Sequence, residues 1–156
     1  MIRKDILCEL MAELEKMTKS EIEEILKTCI EKEEKYAIPT REDWEELESQ
    51  LNCKFPETFK AFIELMSEYL FPGDIYNVLK ENNNGNDTIL YVYKYEAKYS
   101  EWDKNMIPFW GIGNGDYFCI CKTNNKIYYF YHDRLSFEDY SENMDKWIME
   151  LPDFLE

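Results

Sequence analysis

Apolar residues recur every three or four positions through the first half of the chain and every second position through much of the second half, so helices are expected ahead of a sheet. Leu7, Leu10, Met11, Leu14 and Met17, with Glu9, Glu13 and Glu15 between them, predict an amphipathic first helix, interrupted at Thr18-Lys19. Ser20 followed by Glu23 has the form of a capping box, and Ile22, Ile25, Leu26, Cys29 and Ile30 supply a second apolar stripe that fades in the charged stretch 31–35. Ala37-Ile38-Pro39 breaks this pattern, because proline disfavours helix at the residue before it. A boundary near Tyr36 is therefore expected, with a helical extension at 1–36 and the main domain at 37–156.

Thr40, with Asp43 three residues on, opens a predicted third helix that buries Trp44, Leu47 and Leu51, with Glu48 one turn beyond Trp44. Pro56 fits the first turn of a fourth, whose Phe59, Phe62, Ile63, Met66 and Leu70 form a broad apolar face ended by Pro72-Gly73. From Asp74 the period becomes two. Strands are predicted at 75–79 and 88–95, either side of an asparagine-rich loop at 82–86, and a hairpin at 117–122 and 127–132 around Asn124-Asn125. A two-residue turn there would set Ile120 opposite Tyr129 and Phe118 opposite Tyr131 on one face, and Cys119 opposite Phe130 and Tyr117 opposite His132 on the other. Both faces are apolar, so helices must cover one and more chain, or a partner, the other. A last helix through Met144, Trp147, Ile148 and Leu151 is expected to stop at Pro152.

Composition narrows the function classes. The chain has 156 residues, enough for one domain with an appendage, and 18 basic against 33 acidic residues give a net charge of −15. That field repels phosphate backbones and anionic lipid, which excludes nucleic-acid binding by a basic surface and argues against a membrane partner. A 45% hydrophobic content supplies the core that a disordered acidic chain would lack. Of the 25 aromatic residues, four fall in residues 1–60 and 21 in the rest, as a helix-like front and a sheet-like back would have it. Cys8, Cys29, Cys53, Cys119 and Cys121 are scattered and odd in number behind a charged N-terminus, so they read as reduced thiols of a cytoplasmic protein. No apolar run approaches the roughly 18 residues of a membrane span.

The most distinctive segment is Ile107-Pro108-Phe109-Trp110-Gly111-Ile112-Gly113-Asn114-Gly115-Asp116. Its alternate glycines precede a strand, whereas a phosphate loop follows a strand and opens a helix, so the segment reads as a turn or bulge that aims Asp116. His132 is the single histidine and cannot complete an ordinary zinc site alone; it reads as a packed or hydrogen-bonded residue at a strand end. Cys119 and Cys121 share a strand face without any CxxC pair, which suits core packing. No GxSxG is present, and Ser49, Ser67, Ser100, Ser136 and Ser141 sit in unrelated settings, so a serine hydrolase is unsupported. Neither a catalytic set, a metal site nor a cofactor site emerges. The acidic surface serves solubility, or it attracts a basic partner. Residues 133–156 hold eight acidic and two basic residues, which makes Glu138, Asp139, Glu142, Asp145, Glu150 and Asp153 candidates to face such a partner.

In order, Trp44 with Leu47-Glu48, Phe55-Pro56 leading into Phe59-Lys60, Ile107-Pro108-Phe109, Gly113-Asn114-Gly115-Asp116-Tyr117-Phe118 and Tyr131-His132-Asp133 resemble the SUKH superfamily over residues 38–154. That superfamily includes a fungal cell-wall-synthesis regulator and many bacterial immunity proteins. The resemblance implies an α+β domain, a mostly antiparallel twisted sheet flanked by helices, to which the two N-terminal helices are additional. It implies a non-enzymatic antidote that binds a cognate toxin, often a nuclease, and a basic nuclease would suit the acidic surface. The motif residues Trp44, Glu48, Pro56, Pro108, Gly113, Gly115, Asp116 and His132 are expected to be architectural. Two other readings stay open: a regulatory scaffold module without a toxin, and a small-ligand enzyme using Asp116 and His132.

Overall fold

The computed structural model describes residues 17–26, 30–31, 37–70, 73–79 and 88–155. In chain order its elements are helix α1 (Lys19–Ile25), strand β1 (Ile30–Glu31), helices α2 (Arg41–Leu51) and α3 (Glu57–Leu65), strands β2 (Tyr69–Leu70) and β3 (Asp74–Ile75), helix α4 (Ile89–Ala97), strands β4 (Met106–Gly111), β5 (Tyr117–Cys121), β6 (Ile127–Tyr131) and β7 (Ser136–Ser141), and helix α5 (Met144–Leu155). The fold is α+β. A five-stranded antiparallel sheet runs β3-β4-β5-β6-β7, and β1 and β2 form a separate two-stranded pair.

Local chemistry explains most boundaries. The Thr40 hydroxyl accepts from the Asp43 amide at 3.2 Å while the Asp43 carboxylate accepts from the Thr40 amide at 2.8 Å, a reciprocal cap that starts α2 where the sequence places it. The α1 cap is Thr18, which accepts from the Glu21 amide, not Ser20, so the helix starts two residues early. It ends at Ile25, and Ile30 lies in β1 opposite Leu70. The predicted first helix as far as Leu14, Cys29, Tyr36 and the loop at 82–86 lie outside the described residues, and Met17, the last apolar position of that stripe, is not helical.

Four other expectations need correction. The fourth helix closes at Leu65, and Leu70 belongs to β2. The segment predicted as a strand at 88–95 is a helix: the Thr88 hydroxyl accepts from the Tyr91 amide at 3.1 Å, and Ile89 and Val92, three apart, are buried on one side. The hairpin loop has four residues, closed by Asn125 N–H donating to the Cys121 carbonyl at 2.8 Å, with Asn125 at φ +60°. Register therefore moves by two, to Phe118 opposite Tyr129, Tyr117 opposite Phe130 and Cys119 opposite Tyr128; a shift of two keeps every side chain on its predicted face. Finally, α5 continues through Pro152 to Leu155.

The sheet is covered on both faces. On one, Ile107, Phe109, Trp110, Phe118, Ile120 and Ile127 meet Phe59 and Phe62 of α3, Trp147 and Ile148 of α5, and Ile22 of α1. A register shift between Pro108 and Trp110 lets Phe109 and Trp110 share this side. On the other, Trp102, Met106, Cys119, Cys121 and Phe130 form a smaller core beneath the segment after α4. Trp102 anchors it by donating from its indole N–H to the Met106 carbonyl at 3.1 Å.

Candidate functional site

Three groups of sequence-selected residues occupy three places. At the helical end, Trp44 packs edge-on against Phe55 and Phe59, and its indole N–H donates to Glu64 at 3.0 Å. Glu48 is buried, and its carboxylate is answered by the Phe55 amide at 2.8 Å and the Lys60 ammonium at 3.3 Å. This carboxylate ties the connection between α2 and α3 to both helices, and Pro56 is the N-cap residue of α3. Beside it, burial first and the Glu48 charge second push the Cys53 thiol up to about 11. Labelling of Cys53 by iodoacetamide at pH 8 is expected to be far slower than that of an unfolded control, because the thiolate is the reactive form.

Pro108 lies in β4, and the glycine turn follows it. Asp116 is buried there, and donors surround its carboxylate: the His132 backbone N–H at 3.0 Å and ring Nδ1–H at 2.7 Å reach Oδ1, while the Tyr129 hydroxyl at 2.9 Å and the Asn114 amide at 3.4 Å reach Oδ2. Burial opposes the charge, but the hydrogen bonds from His132 and Tyr129 together hold this carboxyl below its ordinary value. The same contact, with burial acting first, pushes the Tyr129 phenol up. Turn geometry supplies the rest: Gly113 and Gly115 have φ of +106° and +97°, and the Asn114 side chain accepts from the Asp116 amide at 3.0 Å.

A Cβ on Gly115 would stand 2.9 Å from Cγ of His132, so Gly115→Ala meets both an unfavourable φ and the imidazole. Its expected cost is about 1–3 kcal/mol in chemical denaturation; an unchanged midpoint would contradict this packing. The dyad of Asp116 and His132 has its imidazole exposed and its carboxylate locked by four donors, an arrangement that fastens the β4–β5 turn to the end of β6. Among the described residues no three His, Cys, Asp or Glu side chains converge as a metal site.

The acidic candidates gather on β7 and α5. Glu138, Asp139, Glu142, Glu150 and Asp153 are exposed. Glu138 pairs across the ladder with Tyr129 and Asp139 with Tyr128, so the two acids point to opposite faces of the edge strand. Glu142 forms an exposed pair with Lys146 at 2.7 Å. Asp145 differs: half-buried, it accepts from the Met17 amide at 3.1 Å and joins α5 to the start of α1. The sequence reading missed Tyr91, Tyr95 and Tyr99, which it assigned to or near a strand. Their spacing of four, one helical turn and a little more, was the available signal.

The family model described as SMI1-KNR4 cell-wall matches residues 19–153, which includes α1. A crystal structure of a protein from Pseudomonas syringae pv. tomato superposes with a TM-score of 0.65 at 18% identity, covering 82% of this chain and 93% of that one. No curated protein matches. Among the described residues no helix is long and apolar enough to cross a membrane. The family match spans most of the chain: the chain belongs to the SMI1-KNR4 family of the SUKH superfamily.

Proposed function

We propose that this chain is a cytoplasmic immunity protein that binds a cognate basic toxin, a nuclease by preference, in a stoichiometric complex and covers its active or substrate-binding surface. Members of the family are generally immunity or regulatory modules rather than enzymes, and non-enzymatic binding is the reading adopted here. The observation that carries it is the exposed acidic edge formed by β7 and α5 on a chain of net charge −15. Such a surface accelerates encounter with a cationic protein and can occupy the place of nucleic acid. Motif residues such as Trp44, Glu48 and Asp116 are architectural in this reading, so discrimination among toxins comes from charge and shape outside them. The cell-wall description of the matching family favours a second reading, a regulatory module with a cellular protein partner.

Co-expression with the toxin encoded beside the gene separates the two. Protection and a co-purifying complex are expected; growth arrest and no complex would remove the immunity reading. Reversing Glu138, Asp139, Glu150 and Asp153 to lysine together is expected to slow association roughly tenfold or more at low salt, with stability nearly unchanged. Surface plasmon resonance reads this directly, and an unaltered association rate would place the contact elsewhere.

A further inference from the structure

Tyr91 and Tyr95 stand on the outer side of α4, and Tyr99 continues their line in the turn beyond it; their exposures are 47%, 47% and 50%. Between Tyr95 and Tyr99 on one side and the β6–β7 turn on the other lies a groove of about 410 Å³, floored by Trp102 and Phe130 and rimmed by Leu135. Leu135 is 55% exposed and has φ +49°. A bulky apolar side chain is unfavourable in that backbone region, and Gly or Asn would suit the turn better. Folding therefore gains nothing evident from leucine here. Large exposed tyrosines over a buried tryptophan are also the composition of binding anchors rather than of an ordinary solvated helix.

Two carboxylates supply the charge. Among the described residues lining the groove, Glu96 and Glu101 are the charged ones. Glu96 is fixed in place by the Tyr117 hydroxyl, which donates to it at 2.7 Å. The Tyr95 and Tyr99 rings meet edge to face at 5.9 Å. Electron-rich ring faces beside carboxylates favour a cation, and a planar guanidinium can stack on the rings while it pairs with a carboxylate. The molecule already uses this chemistry nearby: the Arg134 guanidinium lies 4.0 Å from the Tyr131 ring centre, and the Lys98 ammonium 5.7 Å from that of Tyr95. Phe137 and Asp139 share the sheet face of Phe130, so the groove is continuous with the acidic edge strand.

We propose that this groove docks an arginine-bearing apolar segment of the protein partner, the guanidinium received between the tyrosine faces and the two glutamates, and the aliphatic part against Leu135. The assignment rests on the protein-binding reading above and names the chemistry that the partner presents. Leu135→Gly suits the local φ, so it is expected to fold at least as stably as the wild type while removing the apolar rim. Tyr99→Ala removes one aromatic wall and Glu101→Gln one charge.

The test has two arms. In the first, amide and indole NMR signals are followed while acetyl-Leu-Arg-Leu-amide, or its Gln or Glu counterpart, is added. Shifts confined to the Tyr95, Tyr99, Trp102 and Leu135 region, largest for Arg and lost in Leu135→Gly and Tyr99→Ala, are the expected result. Equal response to the Gln peptide, or shifts elsewhere, would overturn the proposal. In the second, the neighbouring toxin is titrated: Leu135→Gly and Tyr99→Ala are each expected to weaken binding roughly tenfold or more, as loss of an anchor residue does. Wild-type binding with both variants unaffected would sink the groove assignment alone. Absence of wild-type binding to the toxin, with the Arg peptide still found in the groove, would sink the immunity reading alone.

Discussion

Replacing Trp44 by alanine is expected to remove about 3–5 kcal/mol of stability, the range for truncating a large core aromatic. Trp44 is 3% exposed, lies edge-on to Phe55 at 5.9 Å and Phe59 at 6.2 Å, and connects through Phe59 to Phe109 of the sheet at 5.4 Å. The cavity would open where α2, α3 and the sheet meet, and the stacked Phe55–Phe59 pair would lose one wall. Glu64 would also lose its indole donor, although Lys19 still faces it. Against a total of about 5–15 kcal/mol for a typical domain, such a loss leaves the chain near its unfolding threshold. Trp44→Phe keeps most of the packing and should cost markedly less. Urea denaturation measures both; a midpoint within error of the wild type for Trp44→Ala would show that the α2–α3 layer carries little of the fold.

Asp116→Ala should follow in size. The substitution strands the Tyr129 hydroxyl and the His132 backbone N–H beneath the turn, with an expected loss of about 2–3 kcal/mol, since hydrogen bonds to a charged group are the stronger ones. The pH dependence has a fixed sign. The folded carboxyl is held below its unfolded value, so its contribution is fully present above roughly pH 3.9 and is lost as pH falls through the folded pKa. Stability of the wild type should therefore approach that of Asp116→Ala in acid and separate from it as pH rises, as denaturation from pH 2 to 7 would reveal. A gap that widens towards acid would reverse the assignment.

What could be read beforehand divides along the reach of the interactions. The α2 cap needs only Thr40 and Asp43, three residues apart, and was legible; so were the buried Trp44, Leu47 and Leu51. The α4 region was misread because Leu90-Tyr91-Val92-Tyr93 is a β-prone run by residue type, while the helix depends on the Thr88 cap and on Ile89 and Val92 meeting the core. Hairpin faces were correct and register was not, since a four-residue turn replaced a two-residue one. Pro152 ends no helix here: α5 continues to Leu155 although the proline has no N–H to donate back to Ile148. For the site, the sequence placed Asp116 at an aimed turn and His132 at a strand end. Their pairing, 16 positions apart, required the turn and two strands to be built first. The tyrosine groove was hidden by the same strand assignment, and Leu135 drew no notice because its left-handed backbone is a property of the turn, not of the residue.

The central claim is that a basic protein is drawn to an acidic, aromatic-bearing surface and held there. Association and dissociation rates with the proposed toxin partner, measured as sodium chloride is raised from 0.1 M to 1 M, test it most directly. Screening shortens the reach of exposed charges from about 10 Å to about 3 Å over this range, so the account predicts a steep fall in association rate with a smaller change in dissociation. An association rate indifferent to salt, or no complex at any salt concentration, would contradict it.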